Sequence, residues 1–191
     1  MTGRTHDLAA LTLLNCVFIT QPLVNMSIPT AFISGGACII GGLTPDIDQP
    51  TADLWRRLPV GSVIGRILSP LLGSHRMISH SFVGITVFGF LSMKFLDAIR
   101  GILLVDMTVV WIAFMIGYVS HLIIDIITKD GEPLLFPLPV RFGFPPMRAL
   151  RIETGGLVEK SIIFPGLMLL NSYLIYTHYT KYLEFLKLFI K

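Results

Sequence analysis

The chain has 191 residues, 53% of them apolar and 14% charged, with a formal net charge of +3 and a mean hydropathy of +0.73. These values sit away from the soluble average and exclude disorder, which needs low hydrophobicity. They also exclude a collagen-like chain, since no Gly-X-Y period is present, and a disulfide scaffold, since Cys16 and Cys38 are the two cysteines.

Residues 1–191 are therefore expected to form one membrane-embedded domain, each span taking roughly 20 apolar residues. The first uncharged run, Leu8 to Met26, follows Arg4, but no small-x-small cleavage site comes after it and Asp7 interrupts the charged region. It reads as a membrane helix rather than a signal peptide. Leu13-Leu14-Asn15-Cys16 is no lipoprotein box, because Asn15 stands where a small residue is needed. The second run, Ile28 to Leu43, is short and carries Gly35, Gly36, Gly41 and Gly42, as suits a helix packed closely inside a bundle. The third, Ser81 to Met93, reaches spanning length by taking the turn past Lys94, whose stem can snorkel. Ile102 to Ile127 and Ser161 to Thr177 complete the set. The predicted fold class is an all-α polytopic helix bundle of about five transmembrane helices, with two long loops, 44–79 and 128–160, on one face.

Ten lysines and arginines fall on the face of Arg4 and the two long loops, against Lys94, Arg100, Lys181, Lys187 and Lys191 on the other. The positive-inside rule makes the first face cytoplasmic, with the N-terminus in and the C-terminus out. These loops account for an isoelectric point near 9.0. No basic stripe interleaved with aromatics calls for nucleic acid.

Ionisable groups at a membrane edge are costly and point to function. His6 lies just before helix 1, Asp46 and Asp48 just after helix 2, and His80 at the start of helix 3. His121 and Asp125 end helix 4, and Glu159 precedes helix 5. With alternating helix directions all of these ends share one face. His121 and Asp125, at i and i+4, stack on one side of a helix and can grip one ion. Asp46-Ile47-Asp48 is expected to put two carboxylates on the same side of an extended turn. A nitrogen and oxygen ligand set of this size suits Zn²⁺, with Mn²⁺ or Mg²⁺ as alternatives, and one or two ions. Each piece also has a structural counterpart. Asp46 and Asp48 could cap a helix, His80 could hydrogen-bond between helices, His121 and Asp125 could pair inside the bundle, and His6 could be a loose terminal residue. His178, beside Tyr176 and Tyr179 on the opposite face, reads as interface decoration.

Gly42-Leu43-Thr44-Pro45-Asp46-Ile47-Asp48-Gln49-Pro50, Ser74-His75-Arg76-Met77-Ile78-Ser79-His80-Ser81 and Gly117-Tyr118-Val119-Ser120-His121-Leu122-Ile123-Ile124-Asp125 occur in that order. Gly131 and Pro133-Leu134-Leu135-Phe136-Pro137 follow. Together they resemble the YdjM-like membrane-bound metal-dependent hydrolases, a bacterial group with LexA-regulated members. Gln49 stands where the family commonly has a histidine, and Met77 where it commonly has a glycine. The resemblance implies an inner-membrane hydrolase. A distant similarity to zinc-dependent phospholipase C, which also uses His and Asp ligands on helices, points to a phosphoester.

On this reading His6, Asp46, Asp48, His80, His121, Asp125 and Glu159 are the candidate metal ligands, and a bound water is the nucleophile. Asp48 or Glu159 would accept its proton. Arg76, Arg141 and Arg148 would hold an anionic headgroup. The substrate would be a lipid or lipid-linked molecule entering from the bilayer. Three rivals are a non-catalytic metal-binding or structural membrane protein, a phosphatase with a histidine nucleophile, and a Ser-His-Asp hydrolase using Ser79 or Ser81. The second lacks its upstream Lys and Arg motif, and the third lacks the Gly-x-Ser-x-Gly elbow.

Overall fold

A computed structural model describes residues 1–21, 26–72 and 76–187, with side chains described throughout except at 68–72. Ser74 and His75 of the second motif, Lys191 of the tail and most of the last turn of the first predicted span lie outside the described residues. The described chain forms helices α1 (Gly3–Thr20), α2 (Ile28–Leu43), α3 (Asp53–Arg57), α4 (Gly61–Leu72), α5 (Phe82–Ile99), α6 (Met107–Ile126), α7 (Phe164–Thr177) and α8 (Tyr179–Lys187). Among these residues there is no strand, only isolated bridges pairing Thr128 with Ile152 and Glu132 with Phe142. The fold is the expected all-α membrane bundle.

Three stretches are long and apolar enough to cross a membrane: Ile28–Asp48, Phe82–Ile99 and Met107–Ile126. They match the second, third and fourth predicted spans. The third does extend past Lys94, whose ammonium lies over the Phe90 ring. α1 and α7 stand at the first and fifth predicted positions. α1 starts at Gly3 rather than Leu8, so His6 lies within the helix instead of before it. The polar first turn is tolerated because Thr5 and His6 are buried against other polar groups and Asp7 pairs with Arg57 at 2.5 Å.

The core of the bundle is α2 against α6, with α1 packed on both. Gly41 and Gly117 set the distance: a Cβ on Gly41 would stand 2.0 Å from the Phe114 carbonyl oxygen, and one on Gly117 would stand 1.9 Å from that of Cys38. Small residues let these backbones meet. Gly42 also lies against α1, whereas Gly35 and Gly36 face open space, so the close packing of α2 begins at Cys38 and runs to its C-terminal end. One turn further into the bundle, Ala10, Cys38 and Ala113 form a fully buried layer flanked by Leu14 and Ile116. Beyond it, α1, α2, α6 and α8 border an apolar cleft of about 690 Å³ that includes Leu14, Phe18, Ile116 and Phe185.

Candidate metal centre

Five of the seven predicted ligands converge in one buried cluster at the ends of α1, α2 and α6. His6 and His121 stack with ring centroids 3.6 Å apart and planes 6° from parallel, and His80 sits edge-on to His121 at 5.2 Å. His6 Nε2 lies 3.3 Å from Asp125 Oδ1. His80 Nε2 and His121 Nε2 lie 3.5 and 3.8 Å from Asp46 Oδ1. His121 Nε2 is also 3.8 Å from Asp125 Oδ2. Ligands about 2.1 Å from a tetrahedral ion stand roughly 3.4 Å apart, so these separations match the edges of a coordination shell. The buried Nε2 atoms of His6 and His121 have no hydrogen-bond partner among the described residues, although buried polar atoms ordinarily have one.

The outer contacts aim these nitrogens inward. His121 Nδ1 meets the Gly42 carbonyl oxygen at 2.7 Å, an acceptor that places the proton on Nδ1 and turns the Nε2 lone pair toward the cluster. His80 Nδ1 lies 3.0 Å from Ser79 Oγ, and that hydroxyl donates to Asp48 Oδ2 at 3.0 Å. The chain from imidazole to hydroxyl to carboxylate orients His80 in the same sense.

Asp48 is thus a supporting carboxylate. Its Oδ2 also accepts from the Arg76 backbone N–H at 2.9 Å, holding Arg76 at φ 60°, an uncommon conformation for a non-glycine residue. Asp46 and Asp48 do not point the same way, because residues 44–48 form a 3-10 turn rather than an extended one. With three residues per turn, positions i and i+2 diverge.

Glu159 stands apart from the cluster, inside a π-turn (Glu159–Ile163) that leads into α7. It accepts hydrogen bonds from the Thr2 N–H and hydroxyl, the Thr5 hydroxyl and the Gly155 N–H, at 2.8, 2.7, 2.6 and 2.7 Å. Burial disfavours its charge, but the hydrogen bonds from Thr5, Gly155 and Thr2 outweigh that and bring its pKa down to about 2. Its position ties the start of α7 to the start of α1.

Arg76 is buried behind the cluster. Its Nη2 donates to Asp125 Oδ2 at 2.6 Å and its Nη1 to the Gly131 carbonyl at 3.3 Å. The Met1 amino group also meets Asp125 Oδ1. Arg141 and Arg148 are exposed on the second loop, on the Asp130 and Lys129 carbonyls at 3.5 and 3.0 Å. His178 lies at the C-terminal end of α7, its Nδ1 against Leu174 O and Thr177 Oγ1.

Sequence reasoning passed over Glu132. Its side chain is fully buried, with Oε1 3.7 Å from Arg76 Nη1, and neither carboxylate oxygen has a hydrogen-bond partner among the described residues. Its ligand atom lies within 4.8 Å of those of His80 and Asp125, making a third possible metal triad beside His6, His121, Asp125 and Asp46, His80, His121. Gly131 turns it inward: at φ 63° and with a Cβ position 2.5 Å from the Phe142 carbonyl oxygen, that residue has to be glycine. Glu132 and Phe142 then exchange two backbone hydrogen bonds of 2.7 Å. Burial, and after it the charge of Asp125, pushes the Glu132 carboxyl up to about 9 against the pull of Arg76. Asp46, with 26% of its side chain exposed against 1% or less for His6, His80, His121 and Asp125, marks the opening of the site.

The profile of the YdjM inner membrane protein family matches residues 1–183. YvsG of Bacillus subtilis is 27% identical over 176 residues, covering 92% of this chain and 95% of the relative. The inner membrane protein YdjM of Escherichia coli is 32% identical over 136 residues, covering 66% of this chain and 59% of that protein. No solved structure matches the chain.

Proposed function

The chain belongs to the YdjM inner membrane protein family, and from that premise we propose that it is a membrane-bound metal-dependent hydrolase acting on a lipid or lipid-linked phosphoester at the cytoplasmic headgroup region. The observation that carries this reading is the set of imidazole and carboxylate atoms spaced 3.3 to 3.8 Å apart, with the buried Nε2 atoms of His6 and His121 lacking a hydrogen bond among the described residues. His6, Asp46, His80, His121 and Asp125 would hold the ion, Zn²⁺ in first place for this donor set and Mn²⁺ or Mg²⁺ after it. A divalent ion there would bring the pKa of a coordinated water toward neutrality and polarise a phosphoryl oxygen.

The chain's own groups do the rest. Glu132, whose oxygens have no hydrogen bond among the described residues, would accept a proton there once a cation beside it favours its ionised form. It suits this better than Asp48 and Glu159, whose carboxylates already hold several donors. Asp48 keeps His80 in register through Ser79. Arg76 balances the charge of Asp125 from inside, and the exposed Arg141 and Arg148 receive an anionic headgroup. Purified protein is expected to carry stoichiometric Zn²⁺, Mn²⁺ or Mg²⁺ and to release product from phospholipid vesicles or lipid-linked phosphates, with activity lost on chelation and restored by one of those ions. Folded protein that binds none of them, or whose hydrolysis is indifferent to chelator, leaves a structural membrane protein as the better reading.

We further propose that loops 44–79 and 128–160 both face the cytoplasm. Single cysteines placed in each loop are expected to react in intact cells only with membrane-permeant reagents. Labelling of either loop by an impermeant reagent from outside overturns the orientation.

A further inference from the structure

Away from the cluster, the first long loop carries a helix whose two sides differ sharply. α4 is pressed against α3 through Gly61 and Gly65, spaced i and i+4. A Cβ on Gly61 would lie 2.1 Å from the Trp55 carbonyl oxygen, and one on Gly65 would lie 2.8 Å from the Trp55 ring. Trp55 itself is 5% exposed and donates through Nε1 to the Ile47 carbonyl at 3.1 Å, so α4 is fastened to the membrane end of α2. The other side of α4 is apolar and uncovered by the described residues: Val63, Ile64 and Ile67 keep 50, 41 and 64% of their surface, and Val60, in the turn just before the helix, keeps 69%. The spacing of the three helical residues, i, i+1 and i+4, makes one stripe. Arg56, on α3, has a side chain 69% exposed and lies 3.5 Å from Asp53 Oδ1, and the exposed Arg66 is on α4 itself.

We propose that α4 is an in-plane membrane anchor, with its apolar stripe in the acyl boundary of an anionic phospholipid leaflet and Arg56 and Arg66 at the lipid phosphates. Two observations select this occupant. The charge beside the stripe is positive, which complements anionic headgroups. The segment is also held by covalent chain between two candidate spans, one ending at Asp48 and the next beginning at Phe82, where Phe82 and Val83 are 54 and 42% exposed. A helix so short a distance from two membrane crossings can reach the interface without unfolding its contact with Trp55. This inference depends on the family's membrane location and not on the hydrolase reading.

The test uses full-length protein carrying Cys16→Ser and Cys38→Ala, reconstituted in vesicles of phosphatidylglycerol and phosphatidylethanolamine. Single Val63→Cys, Ile67→Cys and Ser62→Cys variants are labelled with a fluorophore and, separately, with a water-soluble maleimide. Labels on Val63→Cys and Ile67→Cys are expected to be quenched by nitroxides near the top of the acyl chain, and these cysteines to react with the maleimide at least tenfold more slowly than Ser62→Cys. Replacing phosphatidylglycerol by phosphatidylcholine should weaken the protection by about fivefold for each arginine engaged, and Arg56→Gln with Arg66→Gln should remove that lipid dependence. Equal reaction at all three positions overturns the proposal. So does protection that grows with protein density and comes with disulfide crosslinking between two Val63→Cys chains, which would assign the stripe to a second copy.

Discussion

His121→Ala is expected to remove most of the bound metal. His121 belongs to two of the three ligand triads, and its ring lies between His6 and His80. Altering a group that merely supports a ligand costs about 10- to 100-fold in metal affinity, so loss of the ligand itself should cost at least that. It also leaves Asp46 and Asp125 without the imidazole they share at 3.8 Å, and their carboxylates then repel one another. Equilibrium dialysis of detergent-purified protein against Zn²⁺, followed by elemental analysis, gives the answer. Elution at the wild-type size shows that the variant is folded, which matters because metal binding is coupled to folding. His178→Ala, at the far end of α7, should bind as wild type does. A folded His121→Ala protein that keeps a full equivalent of Zn²⁺ sinks the proposed centre.

The second large effect runs in two directions at once. Glu132→Met should make the protein more stable in chelator and less responsive to metal. The Glu132 carboxyl is buried without a hydrogen bond among the described residues, a condition that costs about 1–3 kcal/mol and that an apolar side chain of similar size relieves. Its pKa is raised from 4.5 to about 9 in the fold. Below about pH 4.5 the group is protonated whether the chain is folded or not. Between there and about pH 9 the unfolded chain gives up the proton and the folded chain keeps it, so this group's contribution to stability falls as pH rises through that window. Thermal unfolding in chelator should therefore show wild-type stability declining with pH more steeply than that of Glu132→Met. Added Zn²⁺ should stabilise wild type more than the variant, since a cation beside Glu132 favours the ionised form. A variant no more stable than wild type in chelator, and stabilised by Zn²⁺ to the same degree, would show that Glu132 takes no part.

The gathering of His6, Asp46, His80, His121 and Asp125 was legible in the sequence because it needs only hydrophobic runs and alternating helix directions. The burial of α2 followed from its glycines, and the length of α5 from a lysine that can snorkel. The divergence of Asp46 and Asp48 was not legible, because an Asp-x-Asp pair after proline fits both an extended strand and the 3-10 turn it adopts. Glu159 has the position of a ligand, and only the folded contact with Thr2 and Thr5, more than 150 residues away, turns it into a tether. Glu132 was hardest to see. Nothing periodic marks it, and its inward aim comes from Gly131 and from a two-residue bridge to Phe142. A glycine directly before the carboxylate, in Asp130-Gly131-Glu132-Pro133, was the available clue.

The layer of Ala10, Cys38 and Ala113 lies about 12 Å from His121 along α6, eight residues at about 1.5 Å each. All three of its side chains are at most 2% exposed, and within it the Cys38 thiol donates to the Ala10 carbonyl at 3.4 Å. The cleft beyond it is lined mainly by apolar side chains. Among the described residues, the exposed edge of the cluster is Asp46, at the end away from this layer. The bundle thus keeps its polar cluster and its apolar cleft as separate compartments, with a layer of small side chains as the wall between them.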